Sequence, residues 1–370
     1  MRRAMPTNRR SFFSEGFKKL AGQAAEALDL KNPLAFLGLD RSYVRMRREA
    51  MASHFEVIFG TYEKAQARET GMYVLDEIDR FDYLLNIWRG RSELKEVNER
   101  AALEPVPVGE EIAEMVKLAK RIHRETEGAF DITTTPLSRC WGFFQRKGVI
   151  PHPEDIEAAK KRIGMDGIAL DEERKTIQFT KPDIEITPAS IGKGLALDHA
   201  MKIARDRGLK DVLLNGGFSS VLASGAPAWK ESWQIDVRNP FDCERPIARL
   251  QLKNQGFSSS GSEEQFFLHE GKRYGHIIDP RTGWPSCKVF SVSVVAPTAA
   301  LAEALSTAFC VMGVEKTLEY CENRKDKDIG AILIPMPDDK GRSEIIASNF
   351  NTDCVEVLIK SCQTKNRDIV

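Results

Sequence analysis

Short runs of alternating apolar and polar residues follow one another directly through the second half of the chain, at 233–237, 248–252, 274–278 and 289–295. Alternation sends successive side chains to opposite faces of a pleat, so each run can bury one face and leave the other in water. Strands joined by short connections pair antiparallel, because a parallel crossover needs a dozen or more residues and usually a helix. The first half adds a strand at 55–59, ended by Gly60, and then a long amphipathic helix from Thr61 to about Leu85. Met72, Leu75, Ile78, Phe81 and Leu84 recur there at helical spacing, with Glu77, Asp79 and Arg80 expected outside. Further helices are expected at 110–125, 153–163, 191–207 and 298–312, and short strands at 184–186, 212–214 and 329–334. The pattern predicts an α+β fold, with a mixed, largely antiparallel sheet and helices packed on one face. One large domain is expected over 46–350, with 351–370 as a solvated tail.

The 370 residues include 54 basic and 54 acidic side chains, so no global charge draws the chain to nucleic acid or an anionic lipid surface. No uninterrupted apolar run approaches the roughly 18 residues a membrane helix needs, and a soluble chain is expected. The seven cysteines form no C-x-x-C pair, which argues against a zinc site or a disulfide framework. Residues 1–45 read as a basic leader. Arg9-Arg10-Ser11-Phe12-Phe13 resembles a twin-arginine export signal, yet Gln23, Glu26 and Asp29 interrupt the apolar segment such a signal requires. The compartment stays open: periplasmic if the leader works, otherwise cytoplasmic, with a basic amphipathic or disordered tail as the other reading.

Gly192-Lys193-Gly194 invites a nucleotide reading, but Thr187 stands where a phosphate-binding P-loop needs glycine, and Leu197 where a dinucleotide fingerprint needs one. What remains is a helix start with one lysine, suited to an anion, or a plain exposed lysine. In 274–283, His276 comes near a strand end before the tight turn Asp279-Pro280-Arg281-Thr282-Gly283. It can serve as a proton acceptor, or as a half-buried structural histidine. Glu303 and Thr307 stand four residues apart on one helix face, in surroundings of alanine and leucine. Their oxygens can share a hard cation such as Mg²⁺; alone, a helical glutamate is more often a solvated charge.

The order of these and other segments resembles the ApbE family, the FAD:protein FMN transferases, over roughly 51–348. The matching segments are Met51-Ala52-Ser53 with Phe55-Glu56-Val57, Asp76 to Arg80, Ser92-Glu93-Leu94 with Val97-Asn98, and Gly128 to Thr133 with Trp141-Gly142-Phe143. They continue with Gly192-Lys193-Gly194, Asn215-Gly216-Gly217, Ser258 to Gly261, His276 to Gly283, and Ala302 to Thr307. The resemblance implies Mg²⁺-dependent transfer of the FMN half of FAD to a Thr or Ser hydroxyl of an acceptor flavoprotein, with release of AMP. It implies no nucleic-acid partner, and membrane association only through the acceptor. Carried over by position, Met51, Trp88, Ala129, Phe130, Asp131, Thr187, Lys193 and Ile277 would bind FAD. Ser190, Glu303 and Thr307 would bind the metal, and His276 would be the base. Two departures stand out: Thr187-Pro188-Ala189-Ser190 lacks the acid usual in the family, and Glu303 replaces an aspartate. They leave open a degenerate member that binds FAD, or hydrolyses it to FMN and AMP, without modifying a protein. A flavin-free scaffold is the third reading.

Overall fold

A computed structural model describes residues 43–227, 230–242, 244–262, 264–324, 328–350 and 354–363; the Arg9-Arg10 leader lies outside them. Strands β1 (Val44–Ala50) and β2 (Ser53–Phe59) form a hairpin. Met51 and Ala52 close it at φ 49° and 56°, the left-handed backbone that a two-residue type I′ turn requires. Helix α1 (Lys64–Leu84) follows, and its buried stripe is centred on Ala67, Gly71, Val74 and Ile78. Met72 falls outside that arc and is 56% exposed, contrary to expectation.

Helix α2 (Glu93–Arg100), capped by the Ser92 hydroxyl, and helix α3 (Glu110–Glu125) come next. A small sheet of β3 (Val106–Pro107), β4 (Ile168–Asp171) and β5 (Thr176–Phe179) flanks them. Between its strands run the short helices α4 (Thr135–Cys140) and α5 (Pro153–Lys160). Residues 184–186, expected as a strand, join no sheet. Their polar groups are met by a side chain, since Asn98 Nδ2 donates to Ile186 O at 2.9 Å and Ile186 N donates to Asn98 Oδ1 at 2.8 Å.

Helix α6 (Gly192–Asp206) leads into β6 (Val212–Gly216) and β7 (Ser220–Ser224), then β8 (Trp233–Val237) and β9 (Ala248–Leu252). Strand β10 (Gln255–Gly261), the hairpin β11 (Phe266–His269) and β12 (Lys272–Gly275), and β13 (Val289–Ala296) follow. Helices α7 (Ala299–Met312) and α8 (Val314–Glu322) then precede β14 (Gly330–Pro335), β15 (Arg342–Glu344) and β16 (Ile346–Ser348). The segment expected as a solvated tail supplies β17 (Val355–Val357), which pairs with β9, and β18 (Ser361–Gln363), which pairs with β15.

The main sheet has the order β1-β2-β6-β7-β10-β13-β14-β16, and every pairing in it is antiparallel. Helices α1, α6 and α7 cover one face around Phe55, Val57, Val292 and Val294. The other face carries Ile58, Leu213 and Phe257 and packs on the β8-β9-β17 sheet through Trp233, Val237 and Leu250. The α+β class with helices on one face is therefore the observed architecture. A third cluster of Leu137, Trp141, Phe143 and Ile278 joins α4 and α5 to the β11-β12 hairpin, where the Trp141 and Tyr274 rings stack with centroids 5.6 Å apart.

Two glycines set the position of α7. A Cβ on Gly194 would lie 2.5 Å from the Ala299 carbonyl carbon and the Ala300 Cα, and one on Gly256 would lie 2.5 Å from Thr298 C and O. The first turn of α7 is thus seated directly on the backbones of α6 and β10. Asp198 of α6 accepts from Ala299 N at 2.8 Å and Ala300 N at 3.0 Å, filling two of the donors a helix start leaves unpaired. No helix among the described residues is long and apolar enough to cross a membrane.

Candidate active site

A cleft of about 360 Å³ opens where the starts of α6 and α7, the end of β10 and the loops 129–146 and 187–190 meet. Trp88, Ala129, Phe130, Asp131, Thr187, Ser190, Lys193, His276, Ile277, Glu303 and Thr307 all line it. Residues from seven separate stretches of sequence converge there. Met51 does not: it packs against the core below α6, with its terminal methyl 3.5 Å from where a Gly192 Cβ would stand.

The floor is an ion pair across the α6–α7 contact. Glu303 is 3% exposed. Its Oε2 accepts from Gly194 N at 2.7 Å, and Lys193 Nζ approaches Oε1 to 2.7 Å. Oε1 meets no other donor among the described residues, and since a carboxylate oxygen has two lone pairs, one stays open inside the protein. Burial works against the Lys193 charge, yet Glu303, and then Glu264, hold its ammonium above the ordinary lysine value.

Hydroxyls gather at the main-chain carbonyl of Glu303. Ser306 Oγ donates to Glu303 O at 2.9 Å, and Ser260 Oγ lies 2.7 Å from Ser306 Oγ. Thr307 Oγ1 lies 3.3 Å from Glu303 O and 3.4 Å from Ser260 Oγ. Since the carbonyl can only accept, the Ser306 proton is committed to it and the Ser260 proton is left to point at Ser306. Oxygen lone pairs of Ser260 and Thr307 then remain for a ligand. One buried carboxylate oxygen with an open lone pair, in a cleft also lined by the Ser260 and Thr307 hydroxyls, fits a hard cation that completes its shell with water and phosphate oxygens. No cluster of three His, Cys, Asp or Glu side chains suited to a metal occurs among the described residues, so soft or fully caged metals do not fit.

His276 lies just past the end of β12, half-buried. Its backbone N donates to Gln265 O at 3.0 Å, and its Nδ1 sits 3.1 Å from the same oxygen. A carbonyl accepts only, so Nδ1 carries the proton and Nε2 is the basic nitrogen. Burial lowers the imidazole below its ordinary value, against the opposing pull of Glu264 and the Gln265 carbonyl. The ring is consequently neutral at pH 7.

The remaining candidates are mostly walls. Asp131 Oδ1 accepts from Thr133 N at 2.7 Å and Thr133 Oγ1 at 2.5 Å, closing an Asx turn, and burial raises its carboxyl above the usual range. Thr187 N donates to Ile132 O at 2.8 Å, which ties the 187–190 loop to the 129–135 wall. Ala129, Phe130 and Ile277 are buried and give that wall its apolar surface. Trp88 is 55% exposed at the rim, with its ring centroid 4.4 Å from that of Phe144.

Sequence reasoning missed Gln265, Ser260 and Phe144 as parts of the site. Gln265 acts through its backbone carbonyl, which leaves no trace in residue type; its side chain donates to Phe143 O at 2.7 Å and joins two walls. Ser260 has a visible signal, three consecutive serines in a strand whose neighbours should be apolar. Asp198 supports the site from outside the cleft. Five residues after Lys193 on the same helix, its carboxylate reaches the neighbouring helix start.

The chain matches the profile of the ApbE family over residues 51–333. It is 32% identical over 274 residues to an FAD:protein FMN transferase of Klebsiella pneumoniae, covering 72% of this chain and 78% of that one. To an FAD:protein FMN transferase of Escherichia coli it is 33% identical over 249 residues, covering 66% of this chain and 71% of the other. The crystal structure of the ApbE protein of Thermotoga maritima shares the fold with a TM-score of 0.74 at 29% identity, over 83% of this chain and 97% of that one. The flavin transferase ApbE of Vibrio cholerae has the same fold, with a TM-score of 0.72 at 24% identity over 83% and 97% of the two chains.

Proposed function

Because the chain belongs to the ApbE family, we propose that it transfers the FMN half of FAD to a Thr or Ser hydroxyl of an acceptor flavoprotein, using Mg²⁺ and releasing AMP. The observation that carries this reading is the opposition of two groups in one cleft. A neutral imidazole offers its Nε2 lone pair, and a lysine sits with a buried carboxylate in a cleft also lined by hydroxyl oxygens with spare lone pairs. Phosphoryl transfer needs such a pairing: a base for the incoming hydroxyl and positive charge on the phosphates.

His276 Nε2 takes the proton of the acceptor hydroxyl as its oxygen attacks the phosphorus on the FMN side of the pyrophosphate. The bond from that phosphorus to the bridging oxygen breaks, and AMP departs with the bridging oxygen. Gln265 O keeps the imidazole oriented and stabilises the imidazolium through Nδ1–H. Lys193 binds the phosphates, while Trp88 offers an aromatic face at the rim for a flavin or adenine ring. Glu303, Thr307 and Ser190 would hold Mg²⁺, which supplies charge neutralisation on the pyrophosphate when bound. The apolar wall of Ala129, Phe130 and Ile277 excludes water that would compete with the acceptor hydroxyl.

The test is incubation with FAD, Mg²⁺ and a Thr-containing flavoprotein domain. Covalent in-gel flavin fluorescence with stoichiometric AMP is expected. AMP without labelled acceptor would assign hydrolysis instead, FAD binding without AMP a degenerate binder, and no FAD binding a scaffold.

A further inference from the structure

Glu303 poses a problem that the protein solves within its own chain. A carboxylate so deeply buried requires a counter-charge, and leaving it alone costs far more than an exposed one. The protein supplies it from α6: Gly194 N–H fixes Oε2, and Lys193 Nζ stands at Oε1. We propose that Lys193 is a placeholder for the divalent cation, neutralising Glu303 in the ligand-free state and leaving it when the cation arrives, so that FAD and metal bind cooperatively.

The inference rests on the reading that the cation binds at Glu303. Oε1, which has the open lone pair, is the oxygen Lys193 attends. A Mg²⁺ ion bound there, at about 2.1 Å from the oxygen, would stand within about 5 Å of an ammonium that kept its place. Two like charges that close in a buried site strongly disfavour each other. The four-carbon stem of lysine lets the ammonium turn away, and its three donors suit the phosphate oxygens of a ligand in the same cleft. Lys193 therefore acts twice, as the cation's competitor before FAD binds and as a phosphate ligand afterwards. Each ligand lowers the cost of binding the other, and by linkage the coupling is reciprocal.

The test is calorimetric titration of the flavin-free full chain with Mg²⁺, comparing wild type with Lys193→Gln, Lys193→Arg and Glu303→Gln. Removing the competing charge should tighten Mg²⁺ binding about tenfold or more in Lys193→Gln, while weakening its FAD binding. Lys193→Arg keeps the charge and should bind Mg²⁺ no better than wild type. The affinity gain of Mg²⁺ on adding FAD should be clearly larger in wild type than in Lys193→Gln, which keeps only the part that comes from phosphate oxygens on the cation; an equal gain in both overturns the proposal. Equal or weaker Mg²⁺ binding by Lys193→Gln, with Glu303→Gln abolishing it, overturns the placeholder role but keeps the cation at Glu303. Mg²⁺ binding unaffected by Glu303→Gln removes the metal site itself, and the placeholder with it. If Lys193→Gln unfolds without cation, Mg²⁺ but not Na⁺ at equal ionic strength should restore its circular-dichroism melt; failure to restore it also overturns the proposal.

Discussion

Replacing Gly194 with alanine tests whether the α6–α7 contact aligns the site. The added methyl would lie 2.5 Å from the Ala299 carbonyl carbon and the Ala300 Cα, where ordinary contact begins near 3.4 Å. Ala299 O is nearer still, at 2.4 Å; all three atoms are backbone in a helix's first turn, so no rotamer change relieves the clash, and α7 must retreat by about 1.0 Å. Overpacking of this kind costs about 1–3 kcal/mol. Retreat of α7 also carries Glu303 away from Gly194 N and Lys193 Nζ, now both at 2.7 Å. Misplacement by about 1 Å costs on the order of 100-fold in rate. Urea unfolding followed by circular dichroism should therefore show a lower midpoint, and FMN transfer at saturating FAD should fall about 100-fold. Gly192→Ala is the comparison, because its new methyl meets the side-chain atoms Pro188 Cβ at 2.9 Å and Leu85 Cδ1 at 3.1 Å, of which the leucine can move. Wild-type stability and rate in Gly194→Ala would refute the claim that this contact holds the carboxylate in place.

Glu303→Gln should raise the Mg²⁺ concentration for half-maximal AMP release at least tenfold, since charge supplies most of the attraction for a hard cation; an unchanged Mg²⁺ titration would take Glu303 out of the site. Trp88→Ala should weaken FAD binding by about 1–3 kcal/mol in a fluorescence titration and abolish the rim tryptophan's share of the quenching. An unaltered Kd would put the ring system elsewhere in the cleft. His276→Ala should bind FAD yet transfer FMN about 100- to 10,000-fold more slowly. Because burial lowers the imidazole, the wild-type rate should hold through pH 7 and fall only as pH drops through a value below 6.5. Glu264→Gln, which removes a charge favouring the imidazolium, should move that limb to still lower pH. An acidic limb that survives in His276→Ala would assign the proton to another group.

What could be read from the chain follows from which interactions carry a local signature. The alternation at 233–237 and 248–252 foretold β8 and β9, because one face of each must be buried. Strands β1 and β17 were missed, since their charged alternate residues, Arg45, Arg47 and Glu356, resemble the flanking polar segments. Arg45 and Arg47 both pair with Glu56 across the hairpin, a contact visible only once the strands are paired. Ile184 and Ile186 alternate as strand residues do, yet the main-chain N and O of Ile186 are bonded by Asn98, 88 residues away, rather than by a neighbouring strand. The site behaved likewise. Glu303 and Thr307 declared themselves by spacing on one helix face, whereas the orientation of His276 depends on a carbonyl that any residue could provide.

Thr187 and Glu303, the two positions that depart from what the resemblance implies, have a physical sense in this cleft. With Thr187 in place of an acid, Glu303 is the carboxylate that pairs with Lys193 on the cleft side of the α6–α7 contact, while Asp198 is taken up by the Ala299 and Ala300 amides. A second carboxylate at 187 would leave that junction with excess negative charge before any cation bound, favouring the cation but costing stability in its absence. The longer side chain of Glu303 spans the α6–α7 gap far enough to take the Gly194 amide with one oxygen while offering the other to the cleft. An aspartate, one methylene shorter, could not reach both from the same helix position without α7 moving closer, and the backbone contact at Gly194 leaves no room for that. The glycine, the glutamate and the lysine thus form one interdependent unit. Substitution at any of the three should change cation binding and FAD binding together rather than one alone.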